Sequence, residues 1–129
     1  MTLNNITLNV NKVYSKKNPS TYFRNYKGFK KFIENKKKFL YELKLPLKIF
    51  KNSSLIDFGC GSGQNSIFYN ILGCKSTLVE YDKQSCINTY NLFKRYSKNK
   101  FKIVNTDIFN FKSKKKFDFV VSNGVIHHT

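Results

Sequence analysis

Ten residues, Leu55-Ile-Asp-Phe-Gly-Cys-Gly-Ser-Gly-Gln64, carry the strongest structural signal in this sequence. An apolar run reaches Asp57, and three glycines then alternate at positions 59, 61 and 63 before a helix-forming run begins. Glycine lacks a Cβ and tolerates positive φ, so a turn of this composition lets the backbone approach a ligand closely. The stretch therefore predicts a strand, a ligand-binding turn and a helix in immediate succession.

The acidic residue before the glycines indicates what kind of ligand the turn binds. A loop that cradles phosphate groups has little use for the carboxylate of Asp57, whereas a ligand with an amine or hydroxyl groups can donate hydrogen bonds to it. The turn therefore predicts a site for a nucleoside that carries a positively charged tail.

Length and composition are those of one domain with an ordinary core. The chain has 129 residues, of which 40% are hydrophobic, and its formal net charge of +17 would normally suggest nucleic acid or an anionic surface as a partner. However, only Arg24 and Arg95 are arginine, alanine and tryptophan are absent, and residues with AT-rich codons are abundant. Because phosphate recognition favours the bidentate fork of arginine, we expect the charge to reflect genome composition more than a selected polyanion site.

The spacing of the cysteines and the sequence after Met1 bear on the cellular compartment of the protein. Cys60, Cys74 and Cys86 show no C-x-x-C spacing, so they predict neither a disulfide framework nor a zinc site. The sequence after Met1 has no basic segment followed by an apolar run, and no apolar stretch approaches membrane-spanning length. We therefore expect a cytoplasmic protein without a metal and without a membrane partner.

The part of the chain before the ten-residue stretch divides into two segments. Residues 1–21 are rich in asparagine and lysine and weakly patterned, which predicts a mobile arm. Residues 22–52 form a helical segment, in which a helix from Tyr22 to about Leu45 is predicted. Its periodicity places five apolar residues on one face: Phe29, Phe32, Ile33, Leu40 and Leu43.

Residues 53–129 alternate between strand and helix patterns. The predicted strands are Ser54–Phe58, Lys75–Tyr81, Phe101–Asn105 and Phe117–Ser122. Strands separated by helices at this spacing predict βαβ units, that is, an α/β fold with a Rossmann-like, doubly wound parallel sheet of which about four strands are present.

Two helices are predicted between these strands. The first runs from about Gln64 to Leu72, where Gly73 is placed to end it. The second begins after Asp82, which can cap it, and runs to about Ser97. Its inner face is predicted to contain Cys86, Ile87, Tyr90 and Phe93.

Polar residues follow each of the four predicted strands. Asp57, Glu80, Asp107 and Asn123 lie at or near the carboxyl ends of successive strands. Ligands of open parallel sheets bind at this edge. The sequence therefore predicts that these four side chains surround one site.

At four places in order, the sequence resembles the class I S-adenosylmethionine-dependent methyltransferases. The segments are Ile-Asp-Phe-Gly-Cys-Gly-Ser-Gly (56–63), Leu-Val-Glu-Tyr-Asp (78–82), Asn-Thr-Asp-Ile-Phe (105–109) and Phe-Asp-Phe-Val-Val-Ser-Asn-Gly-Val-Ile-His-His-Thr (117–129). The resemblance covers residues 53–129 and implies S-adenosylmethionine as the cofactor and methyl transfer as the reaction.

The resemblance also implies a role for each matching residue. Asp57 would hold the ammonium group of the cofactor or order the glycine turn, Glu80 would accept both ribose hydroxyls, and Asp107 would accept from the adenine amino group. The alternatives for the last two are a solvated charge at a strand end and an ordinary turn aspartate. The implied cofactor-binding residues are Asp57, Gly59, Gly61, Gly63, Glu80, Asp107, Ile108 and Ser122.

Residues after the fourth strand would face the transferred methyl group and the acceptor. The resemblance places Ser122, Asn123 and Gly124 at that junction, and makes Asn123 and His127 the candidate catalytic residues. His127 has a side chain suited to a general base near neutral pH. The alternative is that His127 and His128 only pack at the start of a helix.

The form of this last segment bears on the acceptor. Family members that methylate amide or exocyclic base nitrogens carry Asn/Asp-Pro-Pro followed by an aromatic residue, whereas this chain has Ser-Asn-Gly-Val at 122–125. By analogy, we expect a small-molecule acceptor, and RNA stays open as a substrate.

Three further expectations concern what the chain lacks and what else it could be. The family fold has seven strands in the order 3-2-1-4-5-7-6, so a chain with four is expected to be incomplete and to expose Phe119–Val121 as an apolar edge. A nicotinamide dinucleotide-binding oxidoreductase domain is one alternative, although its fingerprint requires a later glycine, and this chain has Gln64 directly after Gly63. A non-enzymatic RNA-binding module that uses the lysines is the other.

Overall fold

The computed structural model describes residues 25–125 of the chain. Within these residues the helices are α1 (Tyr26–Glu42), α2 (Gln64–Leu72) and α3 (Lys83–Tyr96), with a 3₁₀ turn at Leu47–Phe50. The strands are β1 (Ser54–Phe58), β2 (Lys75–Glu80), β3 (Phe101–Asn105) and β4 (Phe119–Val121). The predicted arm at 1–21 and the predicted start of the first helix at 22–24 lie outside the described residues.

All four strands belong to one parallel sheet in the order β3-β2-β1-β4. β1 lies between β2 and β4, and its residue Ser54 is opposite Lys75 while Leu55 is opposite Phe119. The predicted Rossmann-like α/β fold is confirmed, because the strands are parallel and helices α2 and α3 connect β1 to β2 and β2 to β3. All four carboxyl ends consequently lie at the same edge of the sheet.

Helix α2 and strands β1 and β3 have the predicted bounds, whereas β4 is shorter than predicted. The residues before β4 are engaged with the start of β1 instead of extending the strand. A carboxylate oxygen of Asp118 accepts hydrogen bonds from the N–H of Ser54 at 2.8 Å and from its hydroxyl at 3.1 Å. The N–H of Asp118 donates in turn to the Ser54 hydroxyl at 3.1 Å. Asp118 is thus bonded to Ser54 through side-chain atoms, and the strand begins one residue later, at Phe119.

Among residues 25–125, ten buried apolar residues form the core between the sheet and the helices. Helix α1 contributes through three side chains on one face, Phe29, Ile33 and Leu40, as its periodicity predicts. The Phe29 ring stacks on Tyr96 at the end of α3, with ring centroids 4.0 Å apart. The other core residues are Phe50, Leu55, Ile67, Phe68, Cys74, Leu78 and Phe93.

Three residues predicted to face the core are exposed instead. Leu43 is 54% exposed because α1 ends at Glu42, so Leu43 lies beyond the last helical residue. Ile87 and Tyr90 are 45% and 49% exposed. The buried face of α3 contains small polar residues as well as apolar ones: Ser85, Cys86, Thr89 and Phe93.

Asn70, near the end of α2, joins this helix to the loop that leads into β3. Its side chain is fully buried, and its amide donates to the carbonyls of Asn99 at 3.0 Å and Cys74 at 3.2 Å. Its carbonyl oxygen accepts from the N–H groups of Lys98 and Asn99 at 3.0 and 3.1 Å. One side chain thus satisfies several backbone groups of a loop that periodicity alone does not link to α2.

Over residues 25–125, no helix is both long and apolar enough to cross a membrane. The same part of the chain contains no cluster of three His, Cys, Asp or Glu residues that could hold a metal ion. All three cysteines are free. The cytoplasmic location stays a prediction.

Candidate functional site

The glycine turn between β1 and α2 has the backbone conformation that its sequence predicts. Gly59, Gly61 and Gly63 have φ angles of +74°, +59° and +77°. At Gly61, no described atom lies within 4 Å of the place where a Cβ would be, so this side of the turn is open. At Gly63, a Cβ would lie 2.9 Å from the methyl group of Thr89, so the end of the turn is packed on α3.

Asp57 is a buried carboxylate at the end of β1 with only part of its hydrogen-bonding capacity used. Its side chain is 2% exposed, and its Oδ2 accepts a hydrogen bond from the hydroxyl of Ser66 on α2. Its Oδ1 is buried and has no partner among the described atoms. Burial raises the pKa of Asp57 to about 6, opposed by the Ser66 bond and assisted by the charge of Glu80. A carboxylate in these surroundings favours a nearby cation or hydrogen-bond donor.

Glu80, the last residue of β2, bonds both the glycine turn and the residues that follow β2. Its Oε2 accepts from the N–H of Gly61 at 2.8 Å, and its Oε1 accepts from the N–H of Asp82 at 2.9 Å. Burial raises the pKa of Glu80, while these backbone bonds act in the opposite direction. Each carboxylate oxygen can accept more than one hydrogen bond, so the group retains capacity for hydroxyl donors.

Two side chains fix the backbone that follows β2: Asp82 at the start of α3 and Asn105 on β3. Asp82 caps α3 as predicted, because its carboxylate accepts from the N–H of Ser85 at 2.8 Å. From the neighbouring strand, the side-chain amide of Asn105 donates to the carbonyls of Tyr81 at 2.7 Å and Glu80 at 3.0 Å. Asn105 is a structural contact beside the site that the sequence does not indicate, since strand patterns do not show where a side-chain amide will bond.

Asp107 follows β3 and takes part in its own turn. Its Oδ1 accepts from the N–H of Phe109 at 2.9 Å, and its carbonyl accepts from the N–H of Asn110 at 3.0 Å. Asp107 and Ile108 are both half-buried. They are connected to the rest of the site through Thr106, whose N–H donates to the Glu80 carbonyl at 3.1 Å. A carboxylate in such a turn still has a second oxygen that can accept from a ligand.

The segment after β4 approaches the glycine turn. The hydroxyl of Ser122 donates to the Phe58 carbonyl at 3.3 Å, and a Cβ on Gly59 would clash with the side chain of Val125. Asn123 is exposed in the bend between them. The predicted catalytic His127 lies outside the described residues.

The structure therefore brings most of the predicted residues to one edge of the sheet. Asp57 and Glu80 are close enough for the charge of Glu80 to affect the pKa of Asp57, and Glu80 is bonded directly to Gly61. An open glycine turn beside two partly desolvated carboxylates is chemically suited to a ligand that combines hydroxyl groups with a positive charge.

Comparison with known sequences identifies a matching family. Residues 21–128 match the family described as tellurite resistance protein TehB. Among curated protein sequences, none matches the chain.

Solved methyltransferase structures share the fold. A Pyrococcus horikoshii protein provisionally described as an RNA methyltransferase is 26% identical, with a TM-score of 0.54 over 70% of this chain and 42% of its own. The PRMT1 enzyme–prozyme complex of Trypanosoma brucei with AdoHcy is 20% identical, with a TM-score of 0.54 over 60% and 25%. Protein arginine methyltransferase 10 of Arabidopsis thaliana is 21% identical, with a TM-score of 0.52 over 57% and 22%. The chain thus spans less than half the length of each of these proteins.

Proposed function

Because the chain belongs to the TehB family of S-adenosylmethionine-dependent methyltransferases, we propose that it binds this cofactor at the glycine turn and transfers the methyl group to a small acceptor. The observation that carries the proposal is the bond of Glu80 to the N–H of Gly61, whose Cβ side is open, together with the unpartnered buried oxygen of Asp57 near the end of β1.

The residues present fit the cofactor by their chemistry. The unpartnered buried oxygen of Asp57 suits a positively charged ammonium group or a donor that orders the turn. The carboxylate of Glu80 suits the two ribose hydroxyls, because it can accept further hydrogen bonds. We assign Asp107 to the adenine amino group and Ile108 to the face of the adenine ring. Ser122 follows β4 at the same edge.

When bound, S-adenosylmethionine supplies an electrophilic methyl group on a sulfonium. The chain contributes by holding the reactants in line, and positioning of this kind lowers barriers by about 7 kcal/mol or more in intramolecular comparisons. A base is required only for an acceptor that is protonated at the working pH, and His127 is our candidate for that role. Asn123, exposed beside the turn, is our candidate for contacting the acceptor.

A small-molecule acceptor is favoured by two observations. The segment at 122–125 lacks the Pro-Pro-aromatic form associated with amide and base nitrogens. The family description refers to resistance to tellurite, which is a small oxyanion and not a macromolecule. The oxidoreductase and RNA-binding alternatives are not favoured, because the family and the fold neighbours are methyltransferases.

The proposal is tested by calorimetry with S-adenosylhomocysteine, the demethylated cofactor. The variant Glu80→Gln should weaken binding about tenfold or more, because hydrogen bonds to a charged group contribute about 1.5–3 kcal/mol. Glu42→Gln, which makes the same change at an exposed position on α1, is the matched control and should bind like the wild type. Equal affinities for the wild type and Glu80→Gln would contradict the assignment, as would tighter binding of NAD by the wild type.

A further inference from the structure

Thr89, a residue of α3, connects this helix to the glycine turn by a hydrogen bond and by packing, and Phe93 of the same helix also packs on Gly63. Its side chain is fully buried, and its hydroxyl donates to the carbonyl of Gly61 at 2.8 Å. The thiol sulfur of Cys60 lies 3.9 Å from the same hydroxyl oxygen. Nothing in the strand and helix patterns indicates Thr89, because its partner is the backbone of a distant turn.

The Gly61 residue is consequently held at both of its backbone polar groups. Its N–H donates to Glu80 and its carbonyl accepts from Thr89, both at 2.8 Å. The methyl group of Thr89 also lies where a Cβ on Gly63 would be, 2.9 Å from that position. One threonine side chain therefore fixes the orientation of Gly61 by a hydrogen bond and the position of Gly63 by close packing.

The hydrogen bond of Thr89 goes to the turn, whereas Glu80 also bonds a backbone group outside it. Without the Thr89 hydroxyl, Glu80 still accepts from the N–H of Asp82 at 2.9 Å, and the end of β2 is still bonded to Asn105. The carboxylate that we assign to the ribose is thus anchored independently of Thr89. The turn, by contrast, would lose the 2.8 Å bond to the Gly61 carbonyl and keep only the longer contact from the Cys60 thiol at 3.7 Å.

We propose that Thr89 is a positioning residue that sets the glycine turn for the amino-acid tail of the cofactor and contributes little to binding of its nucleoside part. This inference rests on the proposed function. It predicts that loss of the Thr89 hydroxyl changes the preference between two ligands that differ only in the tail, an effect that a general loss of stability would not produce.

The test compares the affinities of S-adenosylhomocysteine and 5′-methylthioadenosine, which has the nucleoside and the sulfur but no amino-acid tail. Thr89→Val retains the branched shape and removes the hydroxyl. It should weaken S-adenosylhomocysteine about tenfold, the equivalent of one hydrogen bond, and 5′-methylthioadenosine by less than about twofold. Thr77→Val makes the same change on β2, at a side chain outside the turn, and should leave both affinities unchanged.

Thr89→Ser supplies a second measurement in case the valine variant does not fold. Because serine keeps the hydroxyl, this variant should keep the wild-type ratio of the two affinities. Equal weakening of both ligands in Thr89→Val would overturn the role of the Thr89 hydroxyl while leaving cofactor binding intact. So would an affinity ratio that changes as much in Thr89→Ser as in Thr89→Val, because the serine variant keeps the hydroxyl. A wild-type chain that binds neither ligand would overturn the proposed function and this inference with it.

Discussion

Asp57 shows how a single residue can be unfavourable for folding and suited to a site. Its charge is buried with one hydrogen-bond donor, Ser66, and one oxygen without a partner among the described atoms. Burial of an incompletely solvated carboxylate disfavours the ionised form. A cationic ligand would offset that cost, which is why we assign Asp57 to the charged part of the cofactor.

The pH dependence of stability should reveal this burial. The pKa of Asp57 is raised from 3.8 to about 6, so its stabilising contribution is fully present below about pH 4 and is lost as pH rises through about 6. Asp57→Asn does not titrate. Its free energy of unfolding should therefore rise relative to that of the wild type by about 2 kcal/mol between about pH 4 and about pH 7, so that the variant becomes relatively more stable.

Urea denaturation of both proteins across this pH range measures the difference. Subtracting one profile from the other removes the contributions of all groups that titrate alike in both proteins. Parallel profiles for Asp57→Asn and the wild type would show that Asp57 is not buried in the way described.

At the scale of elements, most strands and helices can be predicted from the sequence, because local sequence features determine where they begin and end. The apolar run at 54–58 gives β1, and Gly73, with a φ of +125°, ends α2 as predicted. Asp82 caps α3 through a bond three residues away. Such contacts are local, so sequence spacing alone predicts them.

Contacts between different elements, by contrast, cannot be predicted from local sequence spacing. Asn70, Thr89 and Asn105 bond to backbone groups 24 or more residues away. Apolar character predicts that Ile87 and Tyr90 face the core, yet both are about half exposed, because the way α3 packs buries Ser85, Cys86, Thr89 and Phe93 instead. The site residues at strand ends were predicted because parallel strands align their ends, whereas the bonds among them depend on tertiary placement.

A substitution at Asn70 tests how much the hydrogen bonds between α2 and the loop before β3 contribute to stability. Asn70→Ala removes several buried hydrogen bonds between α2 and the loop before β3, and leaves backbone groups without partners. It should lower the free energy of unfolding by about 3 kcal/mol. Asn91→Ala, at an exposed position on α3, should change it by less than about 0.5 kcal/mol. Similar thermal midpoints for the two variants would contradict this account.

For the molecule as a whole, the exposed edge of the sheet is the feature with the clearest consequence. Over residues 25–125, β4 is bonded to β1 on one side and ends the sheet, and Val120 is 66% exposed there. An apolar edge strand with free backbone groups promotes pairing with another chain. We therefore expect the 129-residue chain to self-associate with rising concentration.

Val120→Lys should reduce this association, because a charged side chain on an edge strand opposes pairing, and should leave the fold intact since the residue is exposed. Sedimentation velocity over a range of concentrations gives the measurement, with circular dichroism as the check of folding. A wild-type chain that stays monomeric throughout would show that the edge is protected.

The central claim is that the turn at 59–63 and the ends of β2 and β3 form one site for an adenosine-bearing cofactor. The most direct test is a titration of the isotope-labelled chain with S-adenosylhomocysteine, followed by the amide resonances. The account predicts saturable shifts at Gly59–Gly63, around Glu80 and around Asp107, with little change on α1. Shifts that are absent, or that are spread over the lysines of α1, would contradict it.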